Sequence, residues 1–147
     1  MAAVCHAEVG WDGDLATGSG MIRYVSSGVL TRLPVNWGSR TEALNGKTSP
    51  EELLAAAHAS CYAMAFSAGL ARNRTPATHL EVRAVVTFDK TEDGWRVISS
   101  ALTVEGTVPG IDETKFVELA TAAKDGCPIS QAIKGNVELS IIPTLLG

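Results

Sequence analysis

The chain has 147 residues, of which 46% are hydrophobic and 19% charged, and a net charge of −4. That composition excludes intrinsic disorder, and the length fits one domain, 1–147, with a core of useful size. Twelve basic against sixteen acidic residues, with no basic run and only eight scattered aromatics, argue against a nucleic-acid partner.

The N-terminal third carries turn signals at Asp12-Gly13, Thr17-Gly18-Ser19-Gly20 and Ser26-Ser27-Gly28. Strand-like runs lie between them, Val4–Val9, Met21–Val25 and Val29–Pro34, which predicts a three-stranded meander. The N-terminus lacks a basic start and an apolar run, so no signal peptide is expected. Residues 35–48 show no period and read as a long loop, a place where function tends to sit.

A strong helix start follows. Ser49 is the predicted N-cap, Pro50 the first helical residue and Glu52 the third, a capping box. From Leu53 to Leu70 the chain is nearly all apolar, with seven alanines in eighteen residues. The run approaches the length of a membrane span. Its weakly hydrophobic alanines and a central His58 favour instead a core helix buried on all sides, wrapped by strands with help from a second subunit. Arg72, Arg74 and Pro76 end it.

Leu80, Val82, Ala84, Val86 and Phe88 alternate along a strand. The turn Glu92-Asp93-Gly94 sends the chain back through Trp95 to Val108, with a slip in phase near Ser99–Ala101 that predicts a bulge. Asp112 caps a second helix with apolar face Phe116, Val117, Leu119, Ala120 and Ala123, stopped by Gly126 and Pro128. Val137, Leu139 and Ile141 close the chain. The expected class is α+β, in the order βββ-α-ββ-α-β.

Three cysteines are too few for a disulfide scaffold, so a reducing cytoplasm is the expected compartment. Cys5 reads as a bystander. Cys61 lies within the apolar helix, where an unpaired cysteine is most simply a small hydrophobe. Cys127, before Pro128 and a short helix over 128–133, sits where a helix N-terminus lowers a thiol pKa. His58 shares a helix face with Cys61. That leaves open a Cys–His nucleophile, a metal site with Cys127, and a plainly hydrogen-bonded core histidine. Glu51 has no part in the capping box, and Arg40 falls in the long loop.

The run from Ser49 through Pro50, Glu51 and His58 to Cys61 resembles the signature of the OsmC/Ohr proteins, the osmotically inducible and organic hydroperoxide resistance family. The run from Asp125 through Cys127 to Ala132 resembles that of its second cysteine. Trp11-Asp12-Gly13-Asp14, the Ser27-Gly28 turn and Val108–Asp112 resemble the OsmC branch. The resemblance implies an intertwined homodimer whose central helices are wrapped by sheet, and a thiol peroxidase acting on organic hydroperoxides and hydrogen peroxide. Cys61 matches the peroxidatic cysteine, Cys127 the resolving one, Arg40 the family arginine and Glu51 the glutamate that orients it. Thr41 stands where the family usually has an aromatic after the arginine.

In that chemistry a thiolate attacks the O–O bond, an arginine stabilises thiolate and departing alkoxide, and a second cysteine closes a disulfide. An external dithiol, thioredoxin-like or lipoylated, then reduces it. No metal or other cofactor is required. Glu51 and Cys61 lie ten residues apart on one predicted helix, about 15 Å along its axis. Arg40, or a crossing of two central helices near Ala55–Ala59, must bridge that gap, which again points to a symmetric dimer. The competing readings are an apolar-ligand-binding protein of the same fold and a Cys61/His58 hydrolase.

Overall fold

Ten elements follow one another as β1 (Ala7–Asp12), β2 (Ser19–Val25), β3 (Thr31–Val35), α1 (Trp37–Thr41), α2 (Pro50–Arg72), β4 (His79–Thr91), β5 (Gly94–Thr107), α3 (Glu113–Gly126), α4 (Pro128–Ile133) and β6 (Glu138–Leu145). They come from a computed structural model that describes residues 1–147. The class is α+β in the expected order, with short α1 added before the long helix and short α4 after the second. The chain divides into two units, Met1–Leu53 and Leu54–Gly147.

In the first unit β1, β2 and β3 form the antiparallel meander. The first strand begins later than predicted and runs on through Gly10-Trp11-Asp12. Trp11 explains this: its ring lies over Gly20 of β2, where an added Cβ would come within 2.6 Å of the indole. The cross-strand pair Trp11–Gly20 thus holds both strand ends together. After β3, the predicted loop contains a helical turn, α1. Asn36 caps it by accepting from the Ser39 amide at 2.8 Å, and Ser39 returns its side chain to the Asn36 amide. Five residues are too few to show a helical period, so the loop reading missed it.

The Ser39 hydroxyl also donates to the Thr48 carbonyl at 2.8 Å, which fixes α1 against the start of α2. There the capping box is only half made. The Ser49 hydroxyl accepts from the Glu52 amide at 3.1 Å, but the Glu52 carboxylate takes the Thr48 hydroxyl instead of the Ser49 amide.

In the second unit β4 pairs antiparallel with β5, and β6 lies parallel on the other side of β5. The bulge falls at Ile98, where Thr87 faces Ser99 and Phe88 faces Val97, one residue before the predicted slip. Asp112 caps α3 by accepting from the Lys115 amide at 2.8 Å. The core joins Tyr62, Phe66 and Leu70 of α2 to Leu102 and Val104 of β5 and to Phe116 and Ala120 of α3. The Phe66 and Phe116 rings stand 5.2 Å apart. Gly106 makes room for Phe116, whose ring lies 2.8 Å from where a Cβ would be.

The expectation for α2 needs correction within one chain. Beyond Glu51 in its first turn, only a stripe, His58, Tyr62, Phe66 and Leu70, is buried, at the i, i+4 spacing of one helix face. Ala56, Ser60, Met64, Ala68 and Ala71 are exposed, Met64 by 72%.

Candidate active site

The second unit brings Cys61 and Cys127 together. Cys61 is half-buried on α2, one residue before Tyr62 of the buried stripe, and packs against the core cluster. Cys127 is fully buried at the junction of α3 and α4. Its amide donates to the Ala123 carbonyl at 2.9 Å and its carbonyl accepts from the Gln131 amide at 3.0 Å, so it ends one helix and begins the next. Pro128 at the first position of α4 makes that change of direction sharp. The N-cap position read from the sequence is the one Cys127 occupies.

The two thiols interact directly, and their surroundings separate them. Burial pushes the Cys61 thiol up, and the neighbouring Cys127 adds to the shift. Burial also opposes ionisation of Cys127, but hydrogen bonding from Cys61 and from the Ser130 and Ile129 amides and the Ser130 hydroxyl outweighs it, leaving that thiol below its ordinary range. The sulfur makes no tight cap bond of the kind an oxygen would; it draws on the several donors at the start of α4. Within this unit, then, Cys127 gives up its proton more readily than Cys61 does. Cys5 is exposed near the N-terminus.

His58 lies fully buried one turn before Cys61. Its Nδ1 sits 2.6 Å from the Ser100 hydroxyl and its Nε2 2.8 Å from the Ser130 hydroxyl. Both ring nitrogens are engaged by serines, and burial lowers the histidine pKa, so the ring is a neutral hydrogen-bonded core imidazole. Of the three readings left open by the sequence, this is the plain one. Neither nitrogen is aimed at Cys61 as a general base would be.

The first unit holds Arg40 and Glu51. Arg40 Nε donates to Glu51 Oε2 at 3.2 Å and Nη2 to Oε1 at 2.6 Å, a two-point ion pair. Glu51 is buried while Arg40 keeps about a third of its side chain exposed. The guanidinium lies 5.9 Å from the centre of the Trp37 ring. Trp37, one turn before Arg40 on α1, thus supplies the aromatic neighbour that Thr41 does not, while the Thr41 hydroxyl donates back to the Trp37 carbonyl at 3.1 Å. A cavity of about 200 Å³ opens beside Arg40, walled by Trp11, Leu15, Val35, Trp37 and Pro50. It combines a cation with apolar walls, which suits a small ligand with one polar end.

Ser100, Ser130, Trp37 and the Asn36–Ser39 cap did not emerge from the sequence. Ser130 had a signal: it stands three residues after Cys127, the spacing at which an N3 side chain faces its N-cap.

Residues 43–142 match the family model described as OsmC-like protein. The chain is 40% identical over 129 residues to "Peroxiredoxin OsmC" of Escherichia coli (strain K12), spanning 88% of this chain and 89% of that one. It is 28% identical over 112 residues to an "Organic hydroperoxide resistance protein-like" protein of Staphylococcus aureus, over 74% of this chain and 78% of that one. Among solved structures, the organic hydroperoxide resistance protein OhrB of Bacillus subtilis superposes with a TM-score of 0.73 at 27% identity, covering 95% of this chain and 98% of the other. An OsmC protein of Legionella pneumophila shares the fold at a TM-score of 0.71 and 22% identity, over 97% and 99% of the two chains.

Proposed function

This chain belongs to the OsmC-like protein family, and from that premise we propose that it is a cysteine-based peroxidase that reduces organic hydroperoxides, and hydrogen peroxide, to alcohols and water. A peroxidase-type role is carried by the names of its relatives. The observation that carries it to this chain is the direct interaction of the Cys61 and Cys127 thiols, one half-buried and one enclosed.

In the proposed cycle the Cys61 thiolate attacks the outer peroxide oxygen. The O–O bond breaks, an alkoxide leaves and takes a proton, and Cys61 becomes a sulfenic acid. Cys127 then displaces the oxygen and closes a disulfide, which an external dithiol, thioredoxin-like or lipoylated, reopens. Arg40 stabilises the attacking thiolate and the developing alkoxide, and Glu51 holds the guanidinium flat by its two bonds. The reading requires that cation. In its own unit burial and Cys127 oppose ionisation of Cys61, and attack needs the thiolate.

The proposed active form is a homodimer working in a reducing cytoplasm. The exposed face of α2, with Met64 at its middle, supports a second copy as its cover rather than lipid, although the helix is long and apolar enough to cross a membrane. The hydrolase alternative loses support from His58, whose ring nitrogens both serve serines.

Intact mass and peptide mapping after one equivalent of cumene hydroperoxide test the proposal. Loss of two hydrogens mapped to a Cys61–Cys127 bond is expected. Two thiols still free and alkylatable would turn the reading to an apolar-ligand-binding protein of the same fold.

A further inference from the structure

We propose that Ser130, backed by His58 and Ser100, is a positioning residue for the resolving step: its hydroxyl donates to the Cys127 sulfur and readies that sulfur to attack oxidised Cys61. The inference rests on the peroxidase reading for its purpose, but its geometry stands apart from that reading.

Four polar side chains from three elements meet in the core of the second unit. His58, Ser100, Ser130 and Cys127 are all 0–1% exposed. Packing alone would be served by apolar residues at these positions, and each buried polar group must instead be satisfied. The hydrogen bonds run Ser100 to His58 Nδ1 at 2.6 Å and His58 Nε2 to Ser130 at 2.8 Å. Ser130 in turn sits at the third position of α4 with Cys127 at its N-cap, the spacing that faces the two side chains, and its hydroxyl acts on the Cys127 sulfur.

The proton count fixes the direction of this chain of bonds. A neutral imidazole has one donor and one acceptor, and each serine has one hydroxyl proton. If Ser130 spent its proton on His58, none would remain for the sulfur. With the histidine proton on Nε2, the ring donates to Ser130 Oγ and the Ser130 hydroxyl is released toward Cys127. Nδ1 then accepts from Ser100, and every donor is used once. Bonds aligned in this sense polarise one another toward the thiolate. The titratable groups around Cys127 are Cys61, His58 and Tyr62; the Tyr62 hydroxyl donates to the Ala120 carbonyl at 3.0 Å and so does not compete.

The consequence lies in the second half of the cycle. Once Cys61 is a sulfenic acid, the Cys127 thiolate attacks its sulfur. An S–S bond forms and the S–O bond breaks. The Cys127 sulfur is oxidised and the sulfenic sulfur reduced to the shared disulfide level. The oxygen leaves as hydroxide and, with the proton that Cys127 had given up, becomes water. A sulfur that gives up its proton readily once Cys61 is a sulfenic acid shortens the life of that sulfenic acid, and with it the chance of irreversible overoxidation.

Two measurements test the relay without peroxide. The ¹⁵N shifts of His58 in the wild-type protein should show the Nε2–H tautomer. An Nδ1–H tautomer or a charged ring at neutral pH overturns the proposal. In a Cys5→Ser, Cys61→Ser background, thiolate absorbance should show the Cys127 midpoint rising by about one pH unit with Ser130→Ala and returning with Ser130→Thr. An unmoved midpoint, or one that Ser130→Thr fails to restore, overturns it; should Ser130→Ala fail to fold, the tautomer decides. With both cysteines present and peroxide added, Ser130→Ala should slow disulfide formation about tenfold, and sulfenic acid should accumulate. Absence of any disulfide in the wild type would sink the peroxidase reading, while the titration still decides the relay.

Discussion

Arg40 and Glu51, eleven residues apart, close a two-point ion pair across the connection from α1 to α2, with the shorter bond at 2.6 Å. The carboxylate is buried, and the half-buried Arg40 lines a cavity together with Trp11, Leu15, Trp37 and Pro50.

This arrangement makes a prediction about pH. Burial and the neighbouring Cys127 hold the Cys61 thiol up, so without a cation its oxidation should rise with pH through a midpoint above the ordinary thiol range. With Arg40 the midpoint should lie below that range. Arg40→Gln is therefore expected to move the pH–rate profile of Cys61 oxidation upward and to slow it about 100-fold at pH 7. Arg40→Lys should not restore it, because a point charge cannot keep both bonds to Glu51. Stopped-flow oxidation by cumene hydroperoxide reads both. Superimposable profiles for wild type and Arg40→Gln would remove Arg40 from the mechanism.

The two cysteines should fail in different ways. Cys61→Ser should abolish hydroperoxide consumption outright. Cys127→Ser should consume one equivalent, then gain first one and then two oxygens on Cys61, because nothing closes the disulfide. Mass spectrometry of the Cys61 peptide against time distinguishes the patterns. A Cys61→Ser protein that still turns over would assign the chemistry elsewhere.

His58 ties stability to pH in a defined direction. Burial lowers its pKa in the folded state, so below about 6.5, the ordinary histidine value, the unfolded chain binds a proton that the native chain refuses. The stability from this group is therefore full above pH 6.5 and falls as the pH drops toward the lowered native pKa, by up to about 1.4 kcal/mol per unit. Urea unfolding at pH 7.5 and 5.5 should show the loss, and His58→Gln, which can keep a hydrogen bond but cannot be charged, should reduce it. Equal pH slopes in the two proteins would show that His58 is already charged in the native state or is matched in the unfolded one.

The legible parts of the sequence were those where a local signal and the tertiary packing agree. The alternation from Leu80 to Phe88, the Asp112 cap and the turn at Cys127-Pro128 each needed only neighbouring residues to be read. What stayed hidden is non-local or very short. Five-residue α1 carries no measurable period, although its Asn36 and Ser39 form a complete cap. Ser100 meets His58 across 42 residues, and no spacing rule announces such a pair. Glu52 looked committed to a capping box, yet its carboxylate took the nearer hydroxyl of Thr48. Trp37 and Arg40 shared a segment read as loop, so their contact on one helix face was invisible.

The exposed side of α2 supplies the last prediction. Met64 lies opposite the stripe of His58, Tyr62, Phe66 and Leu70, amid alanines that leave a flat surface on which a second helix can approach closely. A carboxylate there would be buried without a partner in the proposed dimer but fully hydrated in a single chain. Met64→Asp should therefore shift the protein from dimer to monomer in light scattering, with little change in the far-ultraviolet helix signal. Peroxidase activity should fall with the dimer if Arg40 and Glu51 act on Cys61 only in the assembled form. A variant that stays dimeric would place the contact on another face, and a fully active monomer would show that one chain completes the site by itself.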